Sequence, residues 1–240
     1  MSAPTPWRAG IIAAGDGARL RAGGWTGSKA MALLDGRPLI DHALDRFGAS
    51  GVESVAVVVN EASVDCAHHL AARRRPPAVD LVVRTTPSSF ASFALLADRL
   101  AGARAVIATV DAIMPEADFA AFLAAAAQLP ADAIGLGVTG LVDDEAPLWA
   151  ELDPADGRVR RLGGAPAPHV TAGLYVLPAR LPAFGEAGFG RLRDYLGRLV
   201  QDGHPVYGIA LPQVFDVDRP GDLQQAERAL ASWRRTGECV

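Results

Sequence analysis

The sequence is nearly without lysine. Lys29 stands alone among 22 arginines in a chain of 240 residues. Cysteine is scarce too, and Cys66 and Cys239 lie far apart, which excludes a disulfide framework and the paired spacing of a zinc site. No apolar stretch reaches the ~18 residues of a membrane span. Alanine-rich runs such as FAAFLAAAAQL (119–129) are too short for one. Positive charge is not in excess: the net charge is −4, which excludes the basic face of a nucleic-acid binder. The N-terminal residues lack the basic and apolar regions of a secretory signal, so a soluble cytoplasmic protein is expected. No repeat, low-complexity linker or composition shift marks a boundary, and one domain over 1–240 is expected.

What the chain does have is apolar material, half of all residues, in a regular alternation. Apolar runs at 9–15, 54–60, 79–84, 104–111 and 132–138 read as buried strands. Between them, apolar residues recur at three- and four-residue steps. Leu39, Ile40, Ala43, Leu44 and Phe47 mark a helix over 38–50, and others are expected at 62–74, 88–100 and from Pro115 to 128. Such alternation implies a parallel sheet covered on both faces. The second half changes character. Residues 148–163 read as a hairpin around Asp156-Gly157, and 169–178 and 205–210 read as strands. Helices are expected at 189–202 and 220–234. The fold class is α/β: a three-layer, Rossmann-like domain with a mixed, mostly parallel sheet. The run Arg73-Arg74-Arg75 is expected to place cations at the negative end of a helix.

The first strand opens into a loop with glycines at 15, 17, 23, 24 and 27, together with Arg19, Arg21 and Lys29. In an open α/β sheet this position lies where ligands bind. Glycines let backbone N–H groups approach a phosphate closely, and the cations add charge. In a chain that uses arginine almost everywhere, the single lysine suggests that a compact ammonium is wanted here. The spacing of a P-loop is absent. The dinucleotide fingerprint fails as well, because Leu20 stands where its third glycine belongs and the second strand ends at Asn60 rather than an acid.

A third pattern fits. The ordered set Ala14, Gly15, Gly17, Arg19, Leu20, Lys29 and GRPLI (36–40) resembles the opening of the nucleotidyltransferase superfamily that includes the sugar-1-phosphate nucleotidylyltransferases. TPSSFASF (86–93) resembles its base-recognition segment, and VIATVDAI (106–113) the strand ending in its metal-binding aspartate. TAGLYVLP (171–178) and VFDVDRPGDLQQAE (214–227) resemble its later acceptor and metal segments. The pieces occur in order and span nearly the whole chain.

The resemblance implies a single glycosyltransferase-A-type domain, with an NTP-binding half at about 8–140 and an acceptor half at about 141–240. It implies nucleotide contacts from Ala13, Ala14, Gly15, Gly17, Arg19, Lys29, Thr86, Ser88 and Ser89. Asp111 and Asp216 would hold Mg2+, and Glu151, Thr171 and Gly173 would face the acceptor. Arg19, Lys29 and Asp111 would carry catalysis, with Arg19 on the departing pyrophosphate and Lys29 on the α-phosphate. Independently of any family, an aspartate ending an apolar strand is costly to bury without a partner. Asp218 is expected to cap the helix beginning at Pro220. His42 is expected on a helix at the surface or in packing, and His169 before the acceptor-side strand.

The pattern also departs from its relatives. Ser28 replaces the proline before the loop lysine, and Ser89 replaces a glycine of the base segment. The hairpin GRVRRLGGAP lacks the E-K-P whose lysine helps hold the acceptor phosphate. Arg160 or Arg161 could substitute, but alternate residues of a strand point to opposite faces, so only one could do so. The expected activity is transfer of an NMP unit from an NTP to a phosphorylated small molecule, a sugar or cyclitol phosphate, by a monomer or homodimer. The alternatives are a phosphorylated alcohol, phosphonate or molybdopterin acceptor, or a nucleotide-binding regulatory module without turnover.

Overall fold

Residues on either side of each strand sort into two cores. Ala9, Ile11 and Ala13 enter one core, while Ile12 packs on the other. Val55, Val57 and Val59 enter the first, and Ala56 and Val58 the second. This period of two is the signature of strands buried on both faces. In a computed structural model, which describes residues 7–141, 146–182 and 189–236, these segments become β1 (Arg8–Ala13) and β4 (Ser54–Val59). Between them lie α1 (Ala18–Ala22), a 3-10 turn (Lys29–Met31), the small hairpin of β2 (Leu33–Leu34) and β3 (Arg37–Pro38), and α2 (Leu39–Ala49). The chain continues through α3 (Val64–Ala72), β5 (Ala78–Val83), α4 (Ser89–Arg99), β6 (Ala105–Thr109), β7 (Ala112–Ile113), α5 (Glu116–Ala127) and β8 (Ile134–Thr139). Then follow β9 (Trp149–Leu152), β10 (Val159–Leu162), β11 (His169–Leu177), α6 (Leu192–Gln201), β12 (Val206–Ala210), β13 (Phe215–Asp216) and α7 (Pro220–Thr236).

Strands β5, β4, β1 and β6 lie side by side and parallel. β11 joins β6 antiparallel, β8 pairs antiparallel with β11, and β12 pairs parallel with β8. The expected mixed, mostly parallel sheet is therefore present. Helices α2, α3, α5 and α7 cover one face, and α4 and α6 the other, which makes three layers. β11 changes register against β8 between Thr171 and Tyr175. Its first residues also pair with β9 of the β9–β10 hairpin.

Three local expectations need correction. The glycine loop is not open throughout: Leu20, fully buried, anchors the single turn of α1. The helix expected from 189 starts at Leu192, after the extended residue Arg191. Arg74 does bond the carbonyls at the end of α3, as a helix-terminal cation should. Arg73, however, is buried against α2, where it pairs with Asp41 at 2.9 Å and Asp45 at 3.0 Å. Two carboxylates offer a buried guanidinium more than a helix end can. Among the described residues Cys66 is a buried free thiol, and Cys239 lies outside them. No helix among the described residues is long and apolar enough to cross a membrane.

Candidate active site

The strand order reverses beside β1: β4 and β5 extend the sheet on one side and β6 on the other. The crevice at the carboxyl ends of β1 and β6 is where such a sheet admits a ligand. The glycine turn follows β1, and Asp111 follows β6. Gly17 caps α1 with φ +60°, and a Cβ there would lie 2.9 Å from the Lys29 Cβ. Glycine is required both for the left-handed backbone and for the stem of Lys29 to pack against it.

Lys29 is sunk in the crevice with its side chain 8% exposed. Its ammonium donates to the carboxylates of Asp111 and Asp218, and Arg19 donates to the other oxygen of Asp218. Carboxylate oxygens of Asp111, Asp216 and Asp218 lie within 4.8 Å of one another. Backbone pairing brings these distant residues together. β13 runs antiparallel to β7, with Asp216 opposite Ala112, and the Val217 N–H donates to the Asp111 carbonyl at 3.1 Å. From below, the buried Arg46 of α2 donates to the Ala112 carbonyl at 2.6 Å.

Charge decides the protonation states. Burial works against the Lys29 ammonium, but the charges of Asp111, Asp216 and Asp218 outweigh it and hold its pKa above the usual lysine value. Burial likewise works against the Asp111 carboxylate, and Lys29 reverses the sign, so Asp111 stays below its ordinary range. Both groups are charged at neutral pH. The Tyr175 hydroxyl is pushed up by burial and then by Asp111 and Asp216, while the Arg193 guanidinium pulls it down, so it remains a neutral donor.

Asp218 is not a helix cap. The carboxylate of Asp222 takes that role, accepting from the N–H groups of Asp218 at 2.8 Å and Arg219 at 2.7 Å. Asp218 is thereby turned toward Lys29 and Arg19. The sequence held a sign of this, because residues two apart in an extended segment share a side, and Asp216 and Asp218 are two apart.

Two cavities meet at the aspartates. One, of about 350 Å3, is lined by Gly15, Gly17, Arg19, Lys29, Thr109 and Asp111, among others. The second, of about 320 Å3, includes Thr139, Thr171, Gly173, Tyr175, Arg193 and Asp216. Arg19, Thr109, Asp111 and Asp218 border both. Gly173 has φ +68°, and a Cβ there would lie 2.3 Å from the Thr109 hydroxyl oxygen. Only glycine lets β11 pass so close to the end of β6.

Other expected site residues lie elsewhere. Ala13 is in the core and Ala14 packs against the second core, so neither side chain lines a cavity. Thr86 shares a 2.6 Å hydrogen bond with Ser92. Ser88 caps α4, accepting from the Ala91 N–H at 3.1 Å, and donates to the Phe189 carbonyl at 3.2 Å. Ser89 accepts from the Leu192 N–H at 3.0 Å. The Ser88 and Ser89 hydroxyls tie the start of α4 to the segment entering α6, Thr86 bonds within the start of α4, and none of the three lines either cavity. Glu151 is outside both as well. It alternates with the buried Ala150 on β9 and pairs with Arg161 at 3.0 Å, while Arg160 pairs with Asp153 at 2.7 Å. His42 is buried, with Nε2 2.9 Å from the Leu34 carbonyl. His169, the first residue of β11, lines neither cavity. Tyr175 lies within the TAGLYVLP motif but was not singled out as a site residue, and Arg193 had no motif to mark it; the helical pattern around Arg193 reads only as a surface helix.

The sheet and its helices match solved structures over most of their length. An inositol-1-phosphate CTP transferase from T. maritima aligns with TM-score 0.74 at 18% identity, over 94% of this chain and 96% of that one. A UDP-glucose pyrophosphorylase from Acinetobacter baumanii aligns with TM-score 0.75 at 16% identity, over 94% and 93%. At such identities the likeness is one of fold. A search of curated proteins finds no significant match. The sequence itself matches the profile of the MobA-like NTP transferase domain over residues 9–208, from the first strand through the last strand of the main sheet. A profile match of that extent, on this fold, makes the chain a member of the MobA-like NTP transferase family and a nucleotidyltransferase.

Proposed function

We propose that the protein transfers an NMP unit from an NTP to a phosphorylated small molecule, a sugar or cyclitol phosphate, with Mg2+ and with release of pyrophosphate. The observation that carries this reading is the junction of two cavities at one cluster, Lys29 with Asp111, Asp216 and Asp218. The glycine-turn cavity suits the triphosphate, and residues 8–140 form the nucleotide half. The cavity bordered by Thr171 and Gly173 suits the acceptor, and 141–240 form the acceptor half.

Three carboxylates with mutually close oxygens form a hard-oxygen donor set that fits a divalent ion. Asp111 and Asp216 would hold it, while Asp218 organises the two cations through its bonds to Lys29 and Arg19. When bound, Mg2+ supplies charge neutralisation on the phosphates. The chain does the rest. Lys29 offsets charge growing on the α-phosphate, and Arg19 receives the pyrophosphate. An oxygen of the acceptor phosphate forms the new bond to the α-phosphorus as the α–β bridging bond breaks. That oxygen is already anionic, so no general base is needed.

The test is a screen of each NTP against phosphorylated acceptors, including glucose 1-phosphate and inositol 1-phosphate, with Mg2+. Pyrophosphate release is followed, and the product is identified by mass. Pyrophosphate together with an NMP-linked product, in amounts tied to one acceptor, is the expected result. Nucleotide binding without turnover in every combination would instead favour a regulatory module. A product formed only from a phosphorylated alcohol, phosphonate or molybdopterin would move the acceptor outside the sugar class.

A further inference from the structure

If the acceptor reading above holds, it leaves a charge unmatched. A phosphomonoester would enter a cavity already bordered by Asp111, Asp216, Asp218 and Asp222, with Arg219 in the same acidic turn, its N–H bonded to Asp222. The ammonium of Lys29 and the guanidinium of Arg19 are engaged by Asp111 and Asp218 and face the glycine turn as well. The hairpin arginines are turned away, Arg160 to Asp153 and Arg161 to Glu151 and the carbonyls of Gly163 and Ala165.

Arg193 is placed differently. It sits in the first turn of α6, outside the sheet, and borders the acceptor cavity. It also borders an open groove between the β9–β10 hairpin and α6, together with Pro147, Leu148 and Trp149. One guanidinium nitrogen donates to the Ala146 carbonyl at 3.0 Å, which steadies the side chain without neutralising it. Among the described residues no carboxylate pairs with it. Its field reaches the hydroxyl of Tyr175, a second donor in the same cavity. A guanidinium fork beside a neutral hydroxyl matches the oxygens of a phosphate.

We propose that Arg193, assisted by the Tyr175 hydroxyl, binds the phosphate of the acceptor and makes the enzyme selective for phosphomonoester acceptors. The unphosphorylated part of the acceptor then points past Arg193 toward the groove at Trp149.

The experiment compares wild type with Arg193→Leu and Arg193→Lys. Unchanged circular dichroism and melting temperature serve as the check of folding, since Arg193 is only half-buried. With the best acceptor from the screen, Arg193→Leu raises the acceptor KM at least tenfold and leaves the NTP KM within twofold. Arg193→Lys falls between, because it keeps the charge and loses the fork. An unchanged acceptor KM, or an equal rise in both KM values, overturns the proposal.

A second arm does not depend on turnover. Inorganic phosphate is titrated calorimetrically into protein saturated with Mg2+ and an α,β-methylene NTP. Binding at least tenfold weaker in Arg193→Leu supports the site, and equal binding or none in wild type refutes it. Failure of every acceptor in the wild-type screen sinks the functional reading alone, and the phosphate titration then decides Arg193 by itself.

Discussion

Lys29 and Gly173 show how much one position can determine. Lys29 sits between two carboxylates with its stem pressed on Gly17, in space that suits a compact ammonium on a straight chain. Its rarity made it legible in the sequence, whereas its pairing with Asp218 did not show, because the two are 189 residues apart and nothing local links them. Gly173 was legible only as part of a motif. The reason for it is geometric, a left-handed φ beside the Thr109 side chain. Gly173→Ala combines backbone strain with a clash in a packed sheet, so it should cost at least ~2 kcal/mol of stability. Urea denaturation checks this through a lowered midpoint with an unchanged slope. An unmoved midpoint would mean that β11 can retreat from β6 freely.

At the scale of elements, the strands of the central sheet and most helices were readable because they repeat a period often enough to be seen. The two-residue strands β7 and β13 were not. Two residues carry no period, and their partners lie about a hundred positions away along the sequence. Yet this pairing is what sets Asp216 beside Asp111. Helix α2 supports the same place through Arg46, and it carries a buried histidine whose sign is calculable. Burial, then the charges of Arg37 and Arg46, outweigh the hydrogen bond to Leu34 and the charge of Asp45, and the His42 pKa is lowered from 6.5. The unfolded chain therefore binds a proton near pH 6.5 that the folded chain refuses, and stability falls as pH drops below that value. The urea midpoint of wild type should decline between about pH 6.5 and 5. His42→Gln, which has no proton to take up there, should decline less. Equal slopes for the two proteins would show that His42 is not held neutral.

Across the whole molecule, the alternation of elements made the layered architecture legible. The order of motifs made one end of the candidate site legible, since Gly15, Gly17, Arg19, Lys29 and Asp111, the end proposed for the nucleotide, border one cavity. The end proposed for the acceptor was harder to read. It is assembled from β8, β11, α6 and the turn before α7, and only the folded sheet brings these together. Thr86, Ser88 and Ser89 were expected at the base; in the fold Ser88 caps α4 locally, while Ser88 and Ser89 also bond the segment entering α6, partners about a hundred positions away that no local pattern announces. What the architecture accomplishes is to set one ammonium and three carboxylates at the junction of two cavities. Pyrophosphate release by wild type, Lys29→Met and Asp111→Asn, under the same NTP, acceptor and Mg2+, tests that arrangement most directly. Thermal unfolding run alongside shows that each variant is folded. Each folded variant is predicted to be slower by at least ~10^3-fold, or about 4 kcal/mol of transition-state stabilisation. Release at the wild-type rate by both would contradict the account.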